Sequence, residues 1–162
     1  MLISEKLNQA MNDQIGSELG ASNQYLQVAA HFGREDLPEL SGFFFRQADE
    51  ERGHAMKFVH YILDAGGSVA IPGLTVPTQQ IKSAEQAAQL SLDSEKRVTD
   101  QINALQQIAT TEKDFAALQF LSWFAEEQIE EVSSMNELLN TIRRAGDQIL
   151  LVEATLARRA DK

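Results

Sequence analysis

Cysteine is absent from the 162-residue chain, which excludes disulfide frameworks, thiolate zinc sites, cysteine-held iron and thiol catalysis. Proline is scarce, confined to Pro38, Pro72 and Pro77, and so few helix breakers leave long uninterrupted stretches. Basic residues are outnumbered, 14 against 24 acidic ones, for a net charge of −10. Such a chain repels phosphate backbones, and nothing denser than Arg143-Arg144 or Arg158-Arg159 offsets the repulsion, so no nucleic-acid partner is expected. No apolar run approaches the ~18 residues of a membrane span, and no membrane partner is expected either. The amino-terminal stretch MLISEKLNQAMNDQIG lacks the basic start, apolar stretch and small-residue cleavage site of a secretory leader. The expectation is a soluble, cytoplasmic protein whose natural partners are cations, since 43% apolar and 23% charged residues describe an ordinary folded domain carrying surplus negative charge.

The length suits a single domain. Apolar residues recur at helical spacing through Leu7, Met11, Ile15, Tyr25, Ala29 and Phe32, and again through Leu40, Phe44, Phe58, Tyr61 and Ile62. The pattern predicts an all-α chain with helices at about 4–33, 39–66, 83–110 and 113–145, and a short fifth helix at about 147–160. Each of the first two has about 30 residues, hence ~45 Å of length. Residues 67–82 carry two prolines and two glycines and no helical period. About 15 extended residues at ~3.3 Å each can travel the full length of such a helix, whereas adjacent antiparallel helices need only about two to eight. The segment is therefore expected to be a crossover joining two helical hairpins, one of the established forms of the four-helix bundle.

Following the apolar stripe through each helix shows where charge interrupts it. In the second helix the stripe reads Leu40, Phe44, Gln47, Glu51, His54, Phe58, Tyr61, with an acid and an imidazole at its centre. In the first, Glu18 follows Ile15 by three residues; in the third, Glu95 precedes Val98, Ile102 and Leu105; in the fourth, Glu127 and Glu131 continue Phe120 and Phe124. Each helix thus sends at least one carboxylate inward. Ionised carboxylates in an apolar interior cost several kcal/mol each after relaxation, and several converging ones also repel one another. Bound divalent cations neutralise them most directly, and oxygen donors with one imidazole suit iron or manganese, with zinc as a further option. Glu51-x-x-His54 places both side chains on one helix face, within reach of one ion. Taken alone, that motif and the run EEQIEE at 126–131 are common in helical proteins without a metal; the four-helix conjunction carries the reading. Trp123 and the phenylalanines are assigned to the core, and His31 and His60 to structural or surface roles.

Glu18 with Tyr25 seven residues on, the block ADEERGHAMKF at 48–58, Glu95, and FLSWFAEEQIEE at 120–131 together resemble the non-haem ferritins of bacterial type, within the ferritin-like di-iron carboxylate family. The resemblance covers nearly the whole chain and implies a ferritin-like four-helix bundle. It also implies a homo-oligomeric cage of 24 subunits that stores iron. Such a ferroxidase oxidises Fe(II) with dioxygen, or peroxide, at an intrasubunit di-iron centre and deposits Fe(III) oxide mineral inside. Carried over position by position, Glu18, Glu51 and His54 match the ligands of the first iron, and Glu51, Glu95 and Glu131 those of the second, with Gln128 as an additional polar contact. Glu50, Glu127 and Glu130, with Glu131 shared, match a third iron position. Tyr25 matches a tyrosine that hydrogen-bonds near the centre and can donate an electron, with Trp123 a weaker candidate for that duty. Haem-binding relatives use a methionine where this chain has Arg52, and complete a second E-x-x-H where it has Glu127-x-x-Glu130, so no haem is expected. Leu118 and Leu121 stand roughly where animal ferritins carry their three-fold channel acids, so that route for iron is not carried over. The alternative is a non-storage di-iron oxidoreductase or peroxidase of the same superfamily.

Overall fold

The computed structural model describes residues 2–73 and 80–160. The middle of the expected crossover, residues 74–79, falls outside the described residues. Five helices follow in order: α1 (Glu5–Arg34), α2 (Pro38–Asp64), α3 (Ala84–Glu112), α4 (Phe115–Ala145) and α5 (Ile149–Ala160). No strand occurs among the described residues, and none of the helices is long and apolar enough to cross a membrane.

Three of the four long helices begin on a side-chain cap of their own. Ser4 accepts from the Leu7 amide at 3.0 Å, Ser83 from the Gln86 amide at 3.1 Å and Asp114 from the Ala117 amide at 2.9 Å, each satisfying an amide that the helix itself leaves unpaired. α3 continues to Glu112, two residues past the expected end, and stops where Lys113 turns left-handed at φ 57°. α2 starts one residue earlier than expected, on Pro38, a residue suited to the first helical position. It ends at Asp64, short of the expected 66, with Gly66 at φ 75°. Its cap residue Leu37 has no side-chain acceptor. The acceptor comes instead from α5: the buried Glu153 carboxylate takes the Glu39 and Leu40 amides, each at 2.8 Å.

The beginning of the crossover is strapped to α1 by two asparagines one turn apart. Asn8 both donates to the Ser68 carbonyl and accepts from its amide, while Asn12 donates to the same carbonyl and accepts from the Ala70 amide at 2.6 Å. Gly16 lets Pro72 lie against the helix, where a Cβ would stand 2.6 Å from Pro72 Cγ.

The apolar interior falls into two clusters. One gathers Val28 and Phe32 of α1, Leu40 and Phe44 of α2, Leu92 of α3, Met135 and Leu138 of α4, and Val152 and Leu156 of α5. The other gathers Leu7 and Met11, Phe58 and Ile62, Ile102 and Leu105, Leu121 and Phe124. Along α1 and α4 the second cluster comes before the first; along α2 and α3 the order is reversed. So α1 and α4 run one way and α2 and α3 the other, and the link from α2 to α3 must return the length of the bundle. Between the clusters, at mid-length of every long helix, lies a buried polar belt.

Candidate metal centre

Glu18 and Glu95 are fully buried, Glu51 is 1% exposed, and His54, Gln128 and Glu131 are each 4% exposed. One ligand atom from each of Glu18, Glu51 and His54 lies within 4.8 Å of the others, close enough for all three to share one ion. Glu18 Oε2 and both Glu51 oxygens have no hydrogen-bond partner. The His54 Nδ1 stands 3.4 Å from Glu51 Oε2, without the alignment of a hydrogen bond. Buried polar atoms are almost always paired, so three unpartnered oxygens at one point call for a cation or a proton. A set of hard carboxylate oxygens plus one imidazole fits iron.

A second group joins Glu50, His54, Glu127 and Glu131 across α2 and α4. Glu50 is exposed and Glu127 half-buried, so this group opens toward solvent. Gln47 donates to Glu50 Oε2 at 2.8 Å. Glu130, expected beside them, is exposed and stands outside both groups.

Glu95 is placed differently. Tyr25 donates its hydroxyl to Oε1, and Gln128 Nε2 approaches Oε2 at 3.3 Å and the Glu95 carbonyl at 3.2 Å. Its two oxygens are therefore already engaged, and neither close group includes it. The expected set Glu51, Glu95 and Glu131 does not form one of the close groups.

Electrostatics express the crowding. Burial raises the Glu18 carboxyl well above the usual carboxylate range, with the Glu51 charge adding to the effect and the bond from Gln14 opposing it. Burial and then the charge of Glu95 lift Glu51 to about 9. Burial and the Glu50 charge lift Glu131 to about 8. Glu95 rises to about 7, burial outweighing the opposing bond from Tyr25. Tyr25 itself is raised, by burial and then by the Glu95 carboxylate beside it. Near neutral pH the metal-free belt therefore retains protons, and a cation must displace them.

Aromatic rings fix the imidazole. Trp123 and Phe124 meet His54 edge-on, at centroid distances of 5.6 and 5.8 Å. Trp123, assigned to the core from sequence, is 38% exposed, with the Lys57 ammonium 4.2 Å above its ring. It lies at the margin because α4 turns that position outward beside the half-buried Glu127. His31 is half-buried and His60 exposed, both apart from the centre, while Leu121 is fully buried and Leu118 half-buried. Gln14, not singled out from sequence, is 3% exposed and donates to Glu18 Oε1 at 2.9 Å. Its place one turn before Glu18, on the inward stripe, was the available signal.

The ferritin-like domain family matches residues 8–145. A Mycobacterium tuberculosis protein named ferritin BfrB is 42% identical over 96% of this chain and 86% of its own length. A Staphylococcus aureus bacterial non-heme ferritin is 35% identical over 90% of this chain and 88% of its own. Among solved structures, an open pore ferritin from the archaeon Archaeoglobus fulgidus superposes with a TM-score of 0.92 at 32% identity, covering 95% of this chain and 96% of that one.

Proposed function

The chain belongs to the ferritin family, and on that premise we propose that it is a cytoplasmic iron-storage protein with ferroxidase activity, working as a cage of 24 copies. The observation that carries this reading is the fully buried trio Glu18, Glu51 and His54, with three of its four carboxylate oxygens unpartnered. Fe(II) is the substrate. The first ion binds the trio. Glu51, with both oxygens free, reaches a second ion, for which Glu131 and Glu95 supply further oxygens once Tyr25 or Gln128 yields its hold on Glu95. Two Fe(II) each give one electron to dioxygen, which leaves as hydrogen peroxide after taking two protons. Carboxylates favour this change because hard oxygen donors bind Fe(III) more strongly than Fe(II). The protons that the ions displace from the belt are released close to where the reduced oxygen takes them up. Iron oxidised at the centre then passes to the cavity by way of Glu50 and Glu127, the exposed end of the second group.

The test is stopped-flow absorbance after two Fe(II) per subunit are added in air. The wild type shows a fast oxidation phase that Glu51→Ala and His54→Ala lack; unchanged kinetics in both would reject this centre. Size is checked independently by gel filtration. A cage of 24 chains of 18.0 kDa comes to about 432 kDa, and a clean monomer or dimer would leave only a non-storage oxidoreductase.

A further inference from the structure

We propose that Gln14 is a positioning residue that selects which oxygen of Glu18 meets the first metal ion. The inference rests on the metal-centre reading above and adds to it a residue that touches neither metal nor substrate.

Glu18 offers two chemically equal oxygens, and a free carboxylate rotates about its last bond to present either one or both. Here the two are distinguished. Oε1 accepts from Gln14 Nε2 at 2.9 Å, within the interior, and Oε2 has no partner. The identity of the Gln14 atom follows from the chemistry of its neighbour, because the amide oxygen turned toward a carboxylate would be repelled, whereas the NH2 end donates. With Oε1 held, rotation of the carboxylate is restrained, and Oε2 is left as the oxygen free for an ion shared with Glu51 and His54. Glu18 is thereby prepared as a single-oxygen ligand before any ion arrives. Four residues apart on α1, Gln14 and Glu18 stack on one helix face, so the helix itself sets the spacing.

The opposite side of the centre shows what Gln14 does not do. Gln128 shares its amide among the Glu95 carbonyl, Glu95 Oε2 and Thr99 Oγ1 at 3.2 to 3.4 Å, while Tyr25 takes the other Glu95 oxygen. That arrangement occupies the carboxylate. Gln14 makes one short bond and leaves the second oxygen open.

Outer partners of metal-bound groups carry about 10- to 100-fold in metal affinity. The experiment titrates the intact protein with Co(II) under anaerobic conditions, reading the visible absorption bands, for wild type, Gln14→Leu and Gln14→Met. Both variants remove the donor at similar volume. The expected result is about ten-fold weaker binding of the first Co(II) in both variants. Altered band intensity should accompany it as Glu18 becomes free to bind through both oxygens, while the melting temperature of the metal-free protein falls by no more than the loss of one buried hydrogen bond accounts for. Binding of the second ion, which does not use the Glu18 contact, should shift by less than about two-fold. First-ion affinity and spectrum matching wild type in both variants would overturn the proposal. So would equal weakening of both ions, which would mark a packing role. A wild type that binds no Co(II) would overturn the metal-centre reading and the role of Gln14 with it, whereas two ions in every protein with identical affinities would overturn only the latter.

Discussion

The two sides of the polar belt contain the same kinds of side chain in opposite states. On the α1 and α2 side, three buried carboxylate oxygens of Glu18 and Glu51 have no donor. On the α3 and α4 side, both oxygens of Glu95 are taken by Tyr25 and Gln128. A buried acceptor without a partner costs about 1–3 kcal/mol, so the first side bears a penalty that only a cation or a proton relieves, while Glu95 on the second is satisfied by the protein alone. The difference sets an order. On the proposed reading an arriving ion would gain most at Glu18, Glu51 and His54, and the Glu95 side would join by exchanging protein hydrogen bonds for metal ones.

The comparison breaks most visibly on the first side. Glu51→Ala or His54→Ala should lower first-ion affinity by more than the roughly 100-fold that bounds outer-partner effects, measured by anaerobic titration; a loss confined to the second ion would reverse the proposed order. On the other side, Tyr25→Phe removes the donor to a buried Glu95 oxygen and should cost the metal-free protein about 1–3 kcal/mol in denaturant unfolding. The same change should ease recruitment of the second ion, seen as tighter binding in the titration.

Acid and alkali separate the sides further. Glu51 and Glu131 stand at about 9 and about 8 in the folded protein against an ordinary 4.5. A folded value above the unfolded one means that the contribution to stability is complete below pH 4.5 and is lost as pH rises through 8 to 9. The metal-free protein should therefore lose stability between pH 5 and 9, with the loss much reduced by bound metal; a denaturation series with and without Co(II) checks this. Calorimetry of binding in buffers of different ionisation enthalpy should show release of on the order of two protons per centre near pH 7. The smallest effect is expected at Glu130. Glu130→Ala should leave the initial oxidation rate within about two-fold, because this exposed residue stands outside both close groups, and alter later turnovers only.

Much of this was written locally in the chain. Helix positions follow from apolar spacing and from three prolines, and the inward acids follow from breaks in that spacing, because residues three and four apart share a face whatever the tertiary structure does. The pairing of Tyr25 with Glu95, separated by 70 positions, depends on how α1 and α3 are rotated and staggered against each other, which no single-helix period specifies. For the same reason the second group gathers Glu50, His54, Glu127 and Glu131 without Glu130, and Trp123 lies at the margin. Gln14 lay on a legible face, but a glutamine there has no distinctive chemistry until its neighbour is known to be an unsatisfied acid.

Glu153 has a consequence for anyone who would use this chain as a scaffold. Because the carboxylate that holds the first turn of α2 comes from α5, the tail is a structural part of a helix more than a hundred positions away. Trimming it to attach a cargo would leave the Glu39 and Leu40 amides bare and loosen the start of the helix that carries Glu51 and His54. Cargo is better attached through side chains on the exposed face of α5, at the positions of Leu150 or Leu151, than put in its place.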